Sequence, residues 1–223
     1  MIIEWFAPLD LETFRHRHFQ RLPLANAGNA CRAVPLLDWE TMGRVLASEK
    51  TLDLVTVAAG RLVDAPAPRS LDDVRALMRS GTSVVVRNGE QHDPGLRTLA
   101  DAFAAVLPGQ VHVQLYATPA GTNSYGWHYD FEDVFIAQTA GVKDYYFRAN
   151  TVDRQTRLGD LLDFGTFRRE TSGVYSTRLL AGDCLYIPTR WWHLVRCVED
   201  SLSLSIGVMP PEELRRARPR LDR

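Results

Sequence analysis

The first half of the chain carries apolar residues at helical spacing, interrupted by short polar connections. Each run of apolar positions three or four residues apart follows a residue type that favours a helix N-cap. These four residues are Asp10, Asp38, Ser70 and Asp93. The spacing therefore predicts four helices; Gly81 ends the third, and Pro94 lies in the first turn of the fourth. Between these two helices, the Val-rich residues 82–87 predict a strand.

The pattern changes to strand-like alternation after Gly109. Val111, Val113 and Leu115 alternate with the residues of a second face, which includes Tyr116. Further short strands are predicted at 133–138, 143–149, 177–180, 184–187 and 201–208. This series predicts a mainly β (α+β) protein, in which N-terminal helices pack on a double-stranded β-helix, the jelly-roll barrel of the cupin kind. An open β-sandwich is the alternative that periodicity leaves open.

We expect a single domain over residues 1–223, because a chain of 223 residues with 45% hydrophobic composition can bury one sizeable core. Its parts are an N-terminal part with helices and a strand at 1–109, the barrel at 110–209 and an Arg-rich tail at 210–223. The tail is expected to be a solvated, partly helical terminus, and a role in holding an acidic partner is the alternative.

The overall charge argues against several classes of partner. The formal net charge is −1, so no global attraction to nucleic acid or to an anionic membrane is expected. The three cysteines include no CxxC pair, which argues against a disulfide framework or a zinc module. The N-terminus lacks the basic segment and apolar run of a signal peptide, and no stretch approaches the length of a membrane span. A cytoplasmic location is therefore the expectation.

Candidate metal chemistry begins at Trp127-His128-Tyr129-Asp130. On a strand, residues two positions apart share a face, so His128 and Asp130 can point at one site. His193, far along the chain, would complete two histidines and one carboxylate, a set that suits non-haem Fe(II) and leaves positions open for other ligands. The simpler interpretations are a surface histidine near a turn for His128 and a satisfied core histidine for His193.

Lys143 and the aromatic residues around the His-x-Asp segment are open to two interpretations. Lys143 opens a predicted strand 15 residues after His128. If it points into an apolar barrel it needs an anionic partner, such as a bound dicarboxylate; otherwise it is an exposed lysine after the turn at Gly141. Tyr125 and Trp127 could line a substrate pocket, or they could pack in the core.

Two blocks resemble the JmjC-type 2-oxoglutarate oxygenases, which have the cupin fold. The first block runs from Leu115 through the His-x-Asp segment to Gly141-Val-Lys143 and looks most like the ribosomal-oxygenase branch. The second runs from Gly182-Asp to Trp191-Trp-His193 and is similar to the asparaginyl hydroxylase that acts on hypoxia-inducible factor. Together the blocks cover roughly the C-terminal half of the chain.

The resemblance implies an Fe(II)- and 2-oxoglutarate-dependent dioxygenase. It would hydroxylate an amino-acid side chain, peptidyl, carrier-bound or free, and would couple this to dioxygen consumption and decarboxylation of 2-oxoglutarate to succinate. The implied metal-binding and catalytic residues are His128, Asp130 and His193. The implied 2-oxoglutarate contacts are Lys143, Tyr116 and Ser205, with Ser203 as the alternative to Ser205. The candidate substrate contacts are Tyr125 and Trp127.

The chain also departs from the family pattern. An asparagine that the family carries near the metal has no clear counterpart, the candidate positions being Val134 and Gly207. The resemblance is not expected to extend to the dimerisation region and the winged-helix domain that follow the barrel in ribosomal oxygenases, so ribosomal substrates are not implied. The alternatives to a 2-oxoglutarate hydroxylase are a non-catalytic cupin that senses or carries a metal or ligand, and a cupin enzyme that uses its metal without 2-oxoglutarate.

Overall fold

The computed structural model describes residues 2–123, 125–149, 152, 156 and 172–216. Within these residues the helices are α1 (Ile2–Phe6), α2 (Leu11–Arg17), α3 (Trp39–Leu46), α4 (Leu71–Arg79), α5 (Pro94–Ala104) and α6 (Pro211–Arg216). Two short 3-10 helices cover Cys31–Leu36 and Gly89–Gln91. The strands are β1 (Leu24–Asn26), β2 (Asp53–Ala58), β3 (Arg61–Leu62), β4 (Ser83–Arg87), β5 (Gln110–Thr118), β6 (Asp133–Ala140), β7 (Lys143–Arg148), β8 (Tyr175–Leu179), β9 (Cys184–Ile187), β10 (Trp192–Cys197) and β11 (Ser201–Met209).

The strands form two antiparallel sheets. The large sheet has the order β1-β9-β6-β11-β5-β4-β2-β3, and the small sheet has the order β10-β7-β8. Neighbours in these sheets are mostly distant in sequence, as a jelly-roll connection requires. The predicted mainly β architecture with N-terminal helices is therefore confirmed.

The large sheet lies between the helices and the small sheet. On its helix side, Val113 and Leu115 of β5 are fully buried in a core that also holds Phe14 of α2 and Phe103 of α5. On the other side, the ring centroid of Tyr116 is 5.7 Å from the Lys143 Nζ of β7. The alternation along β5 thus separates a structural face from a face that looks between the sheets.

The four predicted helices begin where their N-caps predict. The side chains of Asp10, Asp38, Ser70 and Asp93 each accept a hydrogen bond from a main-chain N–H in the first turn, at 2.6–3.2 Å. Gly81 has a φ of +80°, the left-handed conformation that ends α4. The elements that were not predicted are α1, the two 3-10 helices, β1, β2, β3 and β10.

The structure leaves some expectations open. The residues Arg218, Arg220 and Arg223 of the Arg-rich tail lie outside the described residues, while Arg215 is exposed on α6. The single domain over 1–223 stays a prediction. Across the parts of the chain that the structure describes, no helix combines the length and apolar character needed to cross a bilayer.

The buried carboxylate of Asp133 should make the stability of the fold depend on pH. This carboxylate accepts hydrogen bonds from the Tyr186 hydroxyl at 2.5 Å and the Thr189 N–H at 3.3 Å. Burial raises the pKa of Asp133 to about 6, although these hydrogen bonds oppose the rise. Because the folded pKa is raised, the native state binds more protons than the unfolded state between about pH 4 and 6. The contribution of Asp133 to stability is therefore present below about pH 4 and lost as the pH rises through 6.

We predict that Asp133→Asn removes this pH dependence. From pH 5 to pH 7, the free energy of unfolding of the wild type should fall by about 1 kcal/mol more than that of the variant. Urea unfolding at the two pH values measures the change, with the exposed Asp72→Asn as the control. A difference between Asp133→Asn and wild type that is the same at both pH values would contradict the assignment.

Candidate metal centre

The centre is built on one main-chain bridge between two distant segments. His128 N–H donates to the His193 carbonyl at 3.0 Å, and His193 N–H donates to the His128 carbonyl at 2.8 Å. His193 lies in β10, but the His-x-Asp segment belongs to no regular strand, so the prediction of a strand there is wrong. A single antiparallel bridge is sufficient, because it fixes the backbone of both histidines against each other.

Aromatic packing supports the bridge from behind. Tyr129, Phe131 and Trp192 form a buried cluster, and the Tyr129 and Trp192 rings meet edge to face with centroids 4.9 Å apart. Trp127, partly buried, packs against the same cluster. The side chains of His128 and Asp130 lie on the opposite side of the segment, where they border an open space.

His128, Asp130 and His193 converge on that opposite side. One donor atom from each residue lies within 4.8 Å of the other two, and His193 Nε2 is 3.5 Å from Asp130 Oδ2. His128 Nδ1 is 2.9 Å from the Gly126 carbonyl, and His193 Nδ1 is 3.0 Å from the Trp191 carbonyl. Since a carbonyl only accepts, both Nδ1 atoms carry the proton and both Nε2 lone pairs are available to a metal.

The electrostatics of the centre favour metal binding. Burial and then the neighbouring His128 lower the pKa of His193 to about 4, so its imidazole is neutral at physiological pH. A neutral imidazole is the form that binds metals. Two imidazoles and a carboxylate on one side, with open space on the other, fit a non-haem Fe(II) ion.

A cavity of about 60 Å³ opens beside the three residues. Lys143 lies in its wall and is only 3% exposed; its Nζ donates to Ser203 Oγ at 2.8 Å. Within the described part of the chain, no carboxylate lies at ion-pair distance from this Nζ, and burial lowers the pKa of Lys143. A buried cation that faces a cavity and contacts a hydroxyl and a tyrosine ring is suited to an anionic ligand.

Several other predicted residues line this cavity, but they differ in whether they contact Lys143. Tyr116, Tyr125 and Ser205 line it together with Ser203, and the Tyr116 hydroxyl donates to Gln114 Oε1 at 3.1 Å. The contact to Lys143 comes from Ser203 and not from Ser205.

Sequence reasoning missed three residues that also line the cavity: Ile136, Tyr145 and Val195. Val134, which lines it as well, was named only as a candidate position for the family asparagine. Tyr145 could have been found, because it follows Lys143 by two positions on the same strand and therefore shares its face.

Gly207 is one of the two candidate positions for the family asparagine, and the space beside it is already occupied by other side chains. A Cβ at this position would lie 2.5 Å from Glu132 Oε2 and 2.6 Å from His112 Nε2. His112 and Glu132 themselves form a pair with 2.8 Å between Nε2 and Oε2. This pair occupies the space above Gly207, so a side chain there would have to displace it.

Comparison with known proteins agrees with the fold and the centre. A family model described as the JmjC domain matches residues 90–215. The bifunctional lysine-specific demethylase and histidyl-hydroxylase NO66 of Drosophila pseudoobscura pseudoobscura is 24% identical over 222 residues, 92% of this chain and 22% of that protein. A probable ribosomal oxygenase of Haemophilus influenzae is 31% identical over 130 residues, 58% of this chain and 32% of its own length.

A solved structure shares the fold. It is YcfD, a ribosomal oxygenase from Escherichia coli, in complex with cobalt and succinic acid; the TM-score is 0.67 at 19% identity, covering 93% of this chain and 54% of that one. The chain thus spans between about a fifth and about half of the length of these relatives. The fold likeness confirms the predicted cupin-type jelly roll. Because the family model covers more than half of the sequence, the chain belongs to the JmjC domain family, as the two sequence blocks predicted.

Proposed function

We propose that this protein is an Fe(II)- and 2-oxoglutarate-dependent dioxygenase that hydroxylates an amino-acid side chain. The observation that carries the proposal is that one cavity joins the three convergent metal-binding groups to a buried lysine with no carboxylate partner among the described residues. A metal-binding cupin that merely carries an ion would have no use for that lysine, whose burial is unfavourable.

The ligands proposed for the metal are Nε2 of His128, Nε2 of His193 and the carboxylate of Asp130. With 2-oxoglutarate bound, Fe(II) supplies oxidation by dioxygen coupled to decarboxylation of the co-substrate to succinate. YcfD, which shares the fold, has also been solved in complex with cobalt and 2-oxoglutarate.

The distal carboxylate of 2-oxoglutarate is proposed to bind Lys143. The ammonium group would form a charge-assisted hydrogen bond, and the Ser203 hydroxyl lies close enough to assist. Tyr116, whose ring centroid is 5.7 Å from Lys143 Nζ and which lines the same cavity, is proposed as a further contact. Ser205, which also lines the cavity, remains a candidate contact. The apolar side chains of Val134 and Ile136 would limit the entry of water and strengthen these polar interactions.

A peptide side chain is the substrate that we favour. The names of the relatives describe a lysine-specific demethylase and histidyl-hydroxylase and a probable ribosomal oxygenase. A histidyl group is a residue within a peptide chain. Tyr125, which is partly buried and lines the cavity, is proposed to contact a substrate group that reaches the metal. Trp127 belongs to the packed cluster behind the ligands, and its substrate role stays a prediction.

The first test is anaerobic titration of the Fe(II)-loaded protein with 2-oxoglutarate, followed by its visible charge-transfer absorption. The absorption should appear with wild type and be absent with His128→Ala, which lacks a metal ligand. Lys143→Ala should need at least tenfold more 2-oxoglutarate, because the charged hydrogen bond is lost. Lys50→Ala, at the only other lysine of the chain, is the matched control and should behave like wild type. Iron bound without any such absorption would favour the metal-carrying cupin.

A second prediction concerns the unfavourable burial of Lys143. Lys143→Met keeps the length of the side chain and removes the buried amine, so the ligand-free protein should gain roughly 1 kcal/mol in the free energy of unfolding. The same variant should lose affinity for 2-oxoglutarate, because the cationic partner is gone. Urea unfolding and the titration above measure the two effects. A large loss of stability in Lys143→Met would mean that the lysine is a structural element of the barrel.

The substrate class is tested by incubating the loaded enzyme with 2-oxoglutarate and either a mixed peptide pool or the free amino acids. Mass spectrometry should find peptides that have gained one oxygen atom, and their fragmentation locates the modified side chain. Oxygen gain confined to the free amino acids would reject the peptide assignment while leaving the cofactor chemistry in place.

A further inference from the structure

We infer that Arg190 and Glu213 form a positioning clamp, which ties helix α6 to the metal centre and holds Asp130 in the orientation that metal binding needs. The inference rests on the proposed function, since it concerns the same three ligands. It adds two residues that lie outside the cavity. Glu213 follows both sequence blocks, and Arg190 lies within the second block but has no role assigned to it there.

The main chain of Arg190 contacts Asp130 directly. Arg190 N–H donates to the Asp130 carbonyl at 2.7 Å. Its φ is +65°, a left-handed conformation that is unfavourable for a residue with a side chain and persists only when the surroundings hold it. The Asp130 side chain is 38% exposed, so packing restrains it less than it restrains the buried His193. Its direction therefore depends on how its backbone is held.

The contacts of the Arg190 side chain hold this backbone conformation in place. Its guanidinium group is buried, with both it and the Glu213 side chain only 6% exposed. Nη2 donates to the two carboxylate oxygens of Glu213 at 2.8 and 2.9 Å, and also to the Thr156 carbonyl at 2.9 Å. Nε donates to Glu213 Oε1 at 3.2 Å. This fork of donors fixes the direction of the guanidinium plane as well as its position.

The same guanidinium reaches the residue that follows Asp130. Its central carbon lies 4.8 Å from the ring centroid of Phe131, in cation–π geometry. Arg190 therefore holds the ligand segment on both sides, at the Asp130 carbonyl and at the Phe131 ring. Since Arg190 is also three residues before His193, one anchored residue connects both ligand segments to α6.

Stability alone does not account for this ion pair. A buried pair is often no better for stability than apolar residues of the same volume, because both charges must leave water. What a bidentate pair adds over apolar packing is direction. A directional contact in the turn that precedes β10, beside the Asp130 carbonyl, is what a positioning role requires.

The test uses Co(II), which is stable in air, as the probe for the metal site. Isothermal titration calorimetry gives its affinity, and its visible absorption reports the coordination geometry. Arg190→Lys and Glu213→Gln should bind Co(II) at least tenfold more weakly than wild type, with an altered spectrum. Arg178→Lys is the matched control, because Arg178 forms a bidentate pair with Asp144 on the exposed small sheet, with distances of 2.7 and 3.0 Å.

A double variant separates positioning from simple support of the fold. Arg190→Met combined with Glu213→Leu replaces the ion pair by apolar residues and should restore the thermal stability that Glu213→Gln loses. If the clamp positions Asp130, Co(II) affinity stays at least tenfold reduced in this stable variant. Recovery of wild-type affinity and spectrum together with stability would overturn the inference.

The other outcomes are also decisive. Folded Arg190→Lys and Glu213→Gln proteins that bind Co(II) like wild type overturn the clamp and leave the proposed function intact. If Glu213→Gln does not fold, Arg190→Lys and the double variant decide the question by the same criteria. A wild-type protein that binds no Co(II) would overturn the proposed metal centre, and the clamp with it.

Discussion

The structure depends on two main-chain hydrogen bonds between His128 and His193. They join a segment that lies outside any regular strand to the first residues of β10. Because the backbones are paired, the two imidazoles have a fixed relation, and the two Nδ1–H groups are used by carbonyls of their own segments. The neighbouring aromatic residues turn to the other side and become the packing that supports the bridge.

The cavity beside this bridge shows how the fold accommodates an unfavourable group. The chain contains only two lysines, and one of them is buried between the two sheets with a hydroxyl as its partner. A sequence optimised for stability would place an apolar residue there. That Lys143 faces the same cavity as the convergent histidines and Asp130 makes an anionic ligand of the metal centre the simplest physical explanation.

Much of the fold followed from local sequence signals, because N-caps and period-two alternation are short-range effects. Residues such as Asp38 and Asp93 act within one turn, and along the middle of β5 buried residues alternate with partly buried ones. β11 was harder, because nearly all of its residues are buried and its pairing with β6 shifts between Leu202 and Ser203. Ser203 and Ser205 are two positions apart on β11 and both line the cavity, so alternation alone could not decide which of them contacts Lys143.

The candidate site was predictable to a similar degree. His128, Asp130 and His193 were found by spacing and resemblance, and the period-two rule would also have turned Trp127 away from the cavity. Tyr125 does not follow this rule, because the adjacent Gly126 has a φ of +71° and interrupts the extended backbone. The contact of Arg190 with Glu213 had no sequence signal, because it depends on where α6 docks after β11.

The measurement that tests the account most directly is a crystal structure of the protein with Mn(II) and 2-oxoglutarate, with anomalous scattering used to locate the metal. The account predicts one strong peak bound by Nε2 of His128, Nε2 of His193 and the carboxylate of Asp130. It also predicts that the distal carboxylate of 2-oxoglutarate contacts Lys143 Nζ and Ser203 Oγ. A metal bound elsewhere, or a 2-oxoglutarate molecule that leaves Lys143 without a contact, would contradict it.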